Sequence, residues 1–260
     1  MILSSTAMAA TEAELDRLFA AIGMPEMIGV MQIEGSEQAE DIRSSMFPDR
    51  TAGWAPIVNA VYSSERMAQT FRAEFDAALA DDDVTPLLDF FESELGKRII
   101  DLEVTARTAL LDSDAERAAE AAAQAMPESN PERYQLLIKF VEENDLVEQN
   151  VSGGLNSSLA FYQGLAAGGG FEMTEGEMLA EVWEQEPDIR EESESWLYMY
   201  FGMAYDPLSD AELNLYIDLS QTDAGRDLNR SLFAGFNAMF DEISFRLGAA
   251  ASQFALSEDL

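Results

Sequence analysis

The chain contains no cysteine and no histidine. Without cysteine there are no disulfides, no thiol nucleophile and no thiolate metal site. Without histidine there is no Ser-His-Asp triad and no imidazole acid–base chemistry at neutral pH. The common catalytic zinc arrangements and the Glu-x-x-His pairs of di-iron bundles are excluded as well. Lysine is nearly absent too, with only Lys97 and Lys139 among 15 basic residues against 50 acidic ones, for a formal net charge of −35. A field of that sign repels phosphate backbones and anionic headgroups, so nucleic acid is not an expected partner. It suits a saline medium, where salt screens self-repulsion, or a cationic partner. No uninterrupted apolar run reaches the ~18 residues of a transmembrane helix.

What is present is ordinary globular material. The 47% hydrophobic content over 260 residues allows one large or two smaller packed domains. Capping boxes of the form Ser/Thr-x-x-Glu are expected at Thr11/Glu14, Ser113/Glu116, Thr174/Glu177 and Ser209/Glu212. Asn130-Pro131 reads as an N-cap followed by proline at the first helical position. Apolar residues recur every three or four positions, most clearly through Leu228, Leu232, Phe236, Met239, Ile243 and Leu247. No segment keeps a period of two. The expected fold class is all-α with about a dozen helices.

The chain also repeats itself. From Trp54 to Ile99 and from Trp183 to Leu228 two stretches run in step at a constant offset of 129 residues. Leu79/Leu208, Asp81/Asp210, Asp89/Asp218 and Gly96/Gly225 are identical across it. The expected organisation is a residual export signal or disordered N-terminus at 1–10, a first helical repeat at 11–128 and a second at 129–260, packed together. Ala7-Met8-Ala9 carries the small-x-small pattern that precedes signal-peptidase cleavage. Met126 to Pro131 separates the halves. Phe47 to Gly53 and Gly168-Gly169-Gly170 form joints within them.

In the repeated turn Phe90-Phe91-Glu92-Ser93-Glu94-Leu95-Gly96-Lys97, Ser93 is placed to cap a helix, and Gly96 lets two helices approach closely. Thr222, Asp223 and Gly225 repeat the arrangement. The run Phe-Phe-x-Ser-x-x-Gly-Lys resembles the hallmark of the bacterial domain of unknown function 2059 family. The resemblance covers some 50 residues around Phe91 to Lys97 and, more weakly, Ser220 to Arg226, where Leu219-Ser220 replaces the aromatic pair. It implies an all-α protein exported to the periplasm of a Gram-negative bacterium, and no activity.

Candidate chemistry is sparse. No catalytic, cofactor-binding or metal-binding residues are assigned, and no cofactor is expected. Asp81-Asp82-Asp83 and Glu191-Glu192-Ser193-Glu194 lack EF-hand spacing and read as a helix start and a solvated face. Asp89 and Asp218, each amid apolar helix sequence, are expected to be partly buried, with Arg98 and Arg107 as nearby partners. They would be the pair to test if the chain were a carboxylate-dependent hydrolase. The aromatic run from Trp196 to Phe201, with Tyr205, reads as a helix buried on most sides, or as the wall of a pocket for an apolar small molecule or lipid. The leading expectation is an exported, non-catalytic binding or structural accessory protein.

Overall fold

The computed structural model describes residues 9–256, so most of the expected N-terminal signal segment lies outside the described residues. Thirteen α-helices and no strand occur among them. They are α1 (Glu12–Ala21), α2 (Met24–Met46), α3 (Trp54–Val61), α4 (Ser64–Leu79), α5 (Thr85–Phe91), α6 (Glu94–Ala109), α7 (Ser113–Ser129), α8 (Pro131–Glu143), α9 (Leu146–Ala167), α10 (Glu175–Glu184), α11 (Glu186–Tyr205), α12 (Asp210–Ser220) and α13 (Asp223–Leu256). The all-α expectation is met.

Local chemistry sets most of the boundaries. Thr11, Thr174 and Ser209 form complete capping boxes with Glu14, Glu177 and Glu212. The fourth expected box does not form. Asp112 stands one residue before Ser113, and its carboxylate accepts from the Asp114 and Ala115 amides, each at 3.0 Å. Ser113 is therefore the first helical residue. Pro127 lies inside the last turn of α7, so the break between the halves narrows to Asn130, whose side chain caps α8. Gly53 and Gly169 take positive φ at the two expected joints.

The helices form two compact units, and neither coincides with a half of the chain. One is drawn from residues up to 27, Arg72–Leu146 and Ser195–Ala234; the other from Ile28–Phe71, Val147–Glu194 and the stretch from Gly235 onward. In the first unit α1 packs on α5, α5 on α6, α8 on α12 and α7 on α8. The pairs α1/α5 and α8/α12 are alike in detail. Glu92, just past α5, accepts from Arg17 of α1 at 2.7 Å; Gln221, the matching position past α12, donates to Glu143 of α8 at 2.7 Å. Gly23 leaves α1 and Asp145 leaves α8 with positive φ, of 67° and 51°. Leu79/Leu208, Val84/Leu213, Leu88/Ile217 and Ile99/Leu228 are all buried. Arg133, itself buried, ties the start of α8 to Asp210 (2.8 Å) and to the carbonyls of Tyr205 and Leu208.

In the second unit the Trp54 indole donates to the Ala39 carbonyl at 3.1 Å and meets the Phe254 ring edge-on at 5.3 Å. Buried Arg43 donates to the Phe47 and Arg50 carbonyls and so pins the loop between α2 and α3. Helices α9 and α13 cross almost backbone to backbone. A Cβ on Gly164 would lie 2.1 Å from the Phe245 carbonyl oxygen, and one on Gly248 would lie 2.1 Å from that of Phe161.

Candidate functional site

The repeated turn is a structural device in both copies. Ser93 accepts from the Gly96 amide at 3.0 Å and donates to the Phe90 carbonyl at 2.6 Å. Thr222 accepts from Gly225 at 3.0 Å and donates to Leu219 at 2.7 Å. A Cβ at Gly96 or Gly225 would lie 2.1 or 2.0 Å from the same carbonyl oxygens, so only glycine lets the incoming helix seat against the end of the outgoing one. The hydroxyl that caps each helix also closes the turn before it.

The carboxylate pair suggested by the sequence is placed differently from the expectation. Asp89 and Asp218 are both exposed, because Leu87, Leu88 and Phe91 carry the buried side of α5, and Leu213 and Ile217 that of α12. Arg98 instead donates to Glu212 and to the Pro207 carbonyl, each at 2.6 Å, and the Arg107 guanidinium lies 5.2 Å from the Trp196 ring centre. Neither Asp is enclosed in a cleft. Asp83 accepts from the Thr85 amide at 3.0 Å, the helix-start role expected of its cluster. Among the described residues no three acidic side chains converge as a metal site.

The aromatic run forms the buried face of α11. Leu197, Met199, Tyr200, Phe201 and Tyr205 are buried, and Phe140 of α8 meets Phe201 and Tyr205 edge-on at 5.1 and 5.5 Å. In the second unit the shallow groove beside Met67, Thr70 and Met239 has no interior space even of a water molecule's size, so it is not a small-molecule pocket.

Sequence reasoning missed the most unusual group, Glu103. It lies on α6, four residues after Ile99 and three before Ala106, both buried. The residue keeps some solvent contact, but its carboxyl is surrounded by protein. Tyr205 donates its hydroxyl to Oε1 at 2.7 Å, Tyr216 bonds the same carboxyl, and Tyr200 donates to the Glu103 backbone carbonyl at 3.1 Å. Desolvation pushes the carboxyl up from 4.5 to about 7, against the pull of the two phenolic hydrogen bonds. Burial, then the Glu103 charge, raises the phenols of Tyr205 and Tyr216 well above 10.0. A carboxyl poised near neutrality can exchange a proton. Here, however, both hydrogen bonds recorded on it come from phenols of α11 and α12, whose rings also touch Phe140. The arrangement locks α6 to α11 and α12. The signal legible in the sequence was a glutamate on the apolar side of a helix.

These elements define an all-α protein. Residues 65–125 match the family model of DUF2059, described as an uncharacterized protein conserved in bacteria. The match runs from the start of α4 into α7 and contains Phe90 to Lys97 and Glu103, so the resemblance read from the turn lies inside it. No curated protein and no solved structure is detectably similar to the chain.

Proposed function

We propose that the chain is a non-catalytic binding or structural accessory protein of the bacterial cell envelope, built from two divergent copies of one helical module and exported to the periplasm. The observation that carries the non-catalytic reading is the repeated turn. The residues that make the sequence distinctive, Ser93 and Gly96 with Thr222 and Gly225, are engaged with their own backbone. The matched pairs α1/α5 and α8/α12, and the positive-φ turns at Gly23 and Asp145, support the duplication. Export is supported by the family resemblance and by the Ala7-Met8-Ala9 pattern.

Two measurements test this. A panel of glycoside and ester substrates should show no turnover. Turnover that disappears in both Asp89→Asn and Asp218→Asn would establish a hydrolase instead. Fractionation of cells making the natural precursor should place the protein with periplasmic markers, and recovery with cytoplasmic markers would end the export reading.

A further inference from the structure

Helix α10, in the second unit, exposes an apolar stripe. Gly176, Leu179, Ala180 and Trp183 fall at i, i+3, i+4 and i+7, on one side of the helix, and all four are exposed. Leu179 is 40% and Trp183 65% accessible, whereas Met178 and Val182 on the other side are buried. A tryptophan presents a large apolar area with a polar edge, which is why it anchors interfaces. The repeat sharpens the point. Trp183 stands 129 residues after Trp54, and Trp54 is 2% accessible, hydrogen-bonded to Ala39 and covered by Phe254. The first indole has its cover within the chain, and the second is presented to solvent.

The surrounding charge narrows what can sit there. Glu172, Glu175, Glu181 and Glu184 are exposed on or beside α10, and no Lys or Arg occurs between Lys139 and Arg190. A second copy, itself at −35, meets like charge on this face, and so does an anionic lipid surface. We infer that the Leu179/Trp183 face of α10 docks a cationic amphipathic segment of another protein. The segment's apolar side chains seat on Trp183, and its Lys or Arg side chains meet the flanking glutamates. This deepens the binding reading above and rests on it.

The test uses the full chain and a synthetic peptide of about 14 residues, with Leu at i, i+3, i+4 and i+7 on one helical face and Lys elsewhere. A second peptide has each Leu replaced by Ser. Trp183→Ala should melt at the wild-type temperature, because the side chain it removes is largely in water. Calorimetric titration at low salt should show the Leu/Lys peptide binding the wild type and losing about tenfold or more in affinity to Trp183→Ala. The Ser/Lys peptide should bind both proteins equally and more weakly. Equal affinity of the two proteins for the Leu/Lys peptide would overturn the proposal, leaving only non-specific charge attraction. A blue shift of Trp183 emission on phosphatidylcholine–phosphatidylglycerol vesicles without a response to peptide would also overturn it, in favour of a membrane. Trp183-dependent dimerisation in sedimentation would do the same in favour of a second copy. The turnover assay is separate: an enzyme found there would end the non-catalytic reading whatever the peptide does.

Discussion

A single carboxyl dominates the residue scale. Glu103 holds its proton to about pH 7 in the folded chain, whereas in the unfolded chain it releases it near 4.5. Between those values the native state binds more protons than the unfolded state, so this group's contribution to stability falls as pH rises. Above pH 7 the loss is complete, at up to about 3 kcal/mol. Glu103→Gln removes that titration while keeping an acceptor for Tyr205. Urea unfolding should therefore show Glu103→Gln more stable than the parent at pH 8, with the difference shrinking towards pH 4.5. A difference that does not change with pH would mean the carboxyl is not the titrating group. Glu103 was hard to find in the sequence because its partners lie far along the chain: Tyr200 and Tyr205 are 97 and 102 positions away. Asp89 misled for a different reason. Its apolar neighbours in sequence bury the other side of a seven-residue helix, and hydrophobic company along the chain does not fix the phase of a side chain.

At the scale of elements, close approach replaces side-chain chemistry. At the α9/α13 crossing, Gly164→Ala or Gly248→Ala places a methyl group against a backbone carbonyl that cannot rotate away. Each substitution should cost about 2–3 kcal/mol in denaturant unfolding. The double variant should cost less than the sum, because helices parted once need not part again. Strict additivity would mean the two contacts are independent. The same reasoning applies to Gly96→Ala, with a loss of about 2 kcal/mol expected at the turn. Elements of this kind were largely legible beforehand. Thr11, Thr174 and Ser209 announce their helices because a cap and its glutamate lie within one turn of each other. Ser113 did not, because Asp112 caps the helix one residue earlier and, as a carboxylate, accepts two first-turn amides. The crossing of α9 and α13 was not legible. Gly164 and Gly248 look like ordinary helix glycines until the fold brings them together.

For the whole molecule, charge and chain order matter most. With 35 more negative than positive charges, self-repulsion opposes compaction, and screening relieves it. The melting temperature should rise steadily as NaCl increases from about 0.01 to 0.5 M, where the Debye length falls from about 30 Å to a few ångströms. A temperature that is flat or falls with salt would contradict a repulsive net field. The all-α class and a count of about a dozen helices were readable from periodicity and caps; the structure has thirteen among the described residues. The grouping into units was not, because it follows spatial neighbours and draws on both halves.

That grouping bears on how the protein is made. Both units recruit residues from α13: Leu228 is buried in the first, and Met239, Ile243 and Leu247 in the second. A ribosome has therefore synthesised more than four-fifths of the 260 residues before either unit can close. A chain stopped at Gln221 should melt without a cooperative transition in circular dichroism. Until α13 emerges, neither unit has all of its parts, so both wait on the same late stretch of chain.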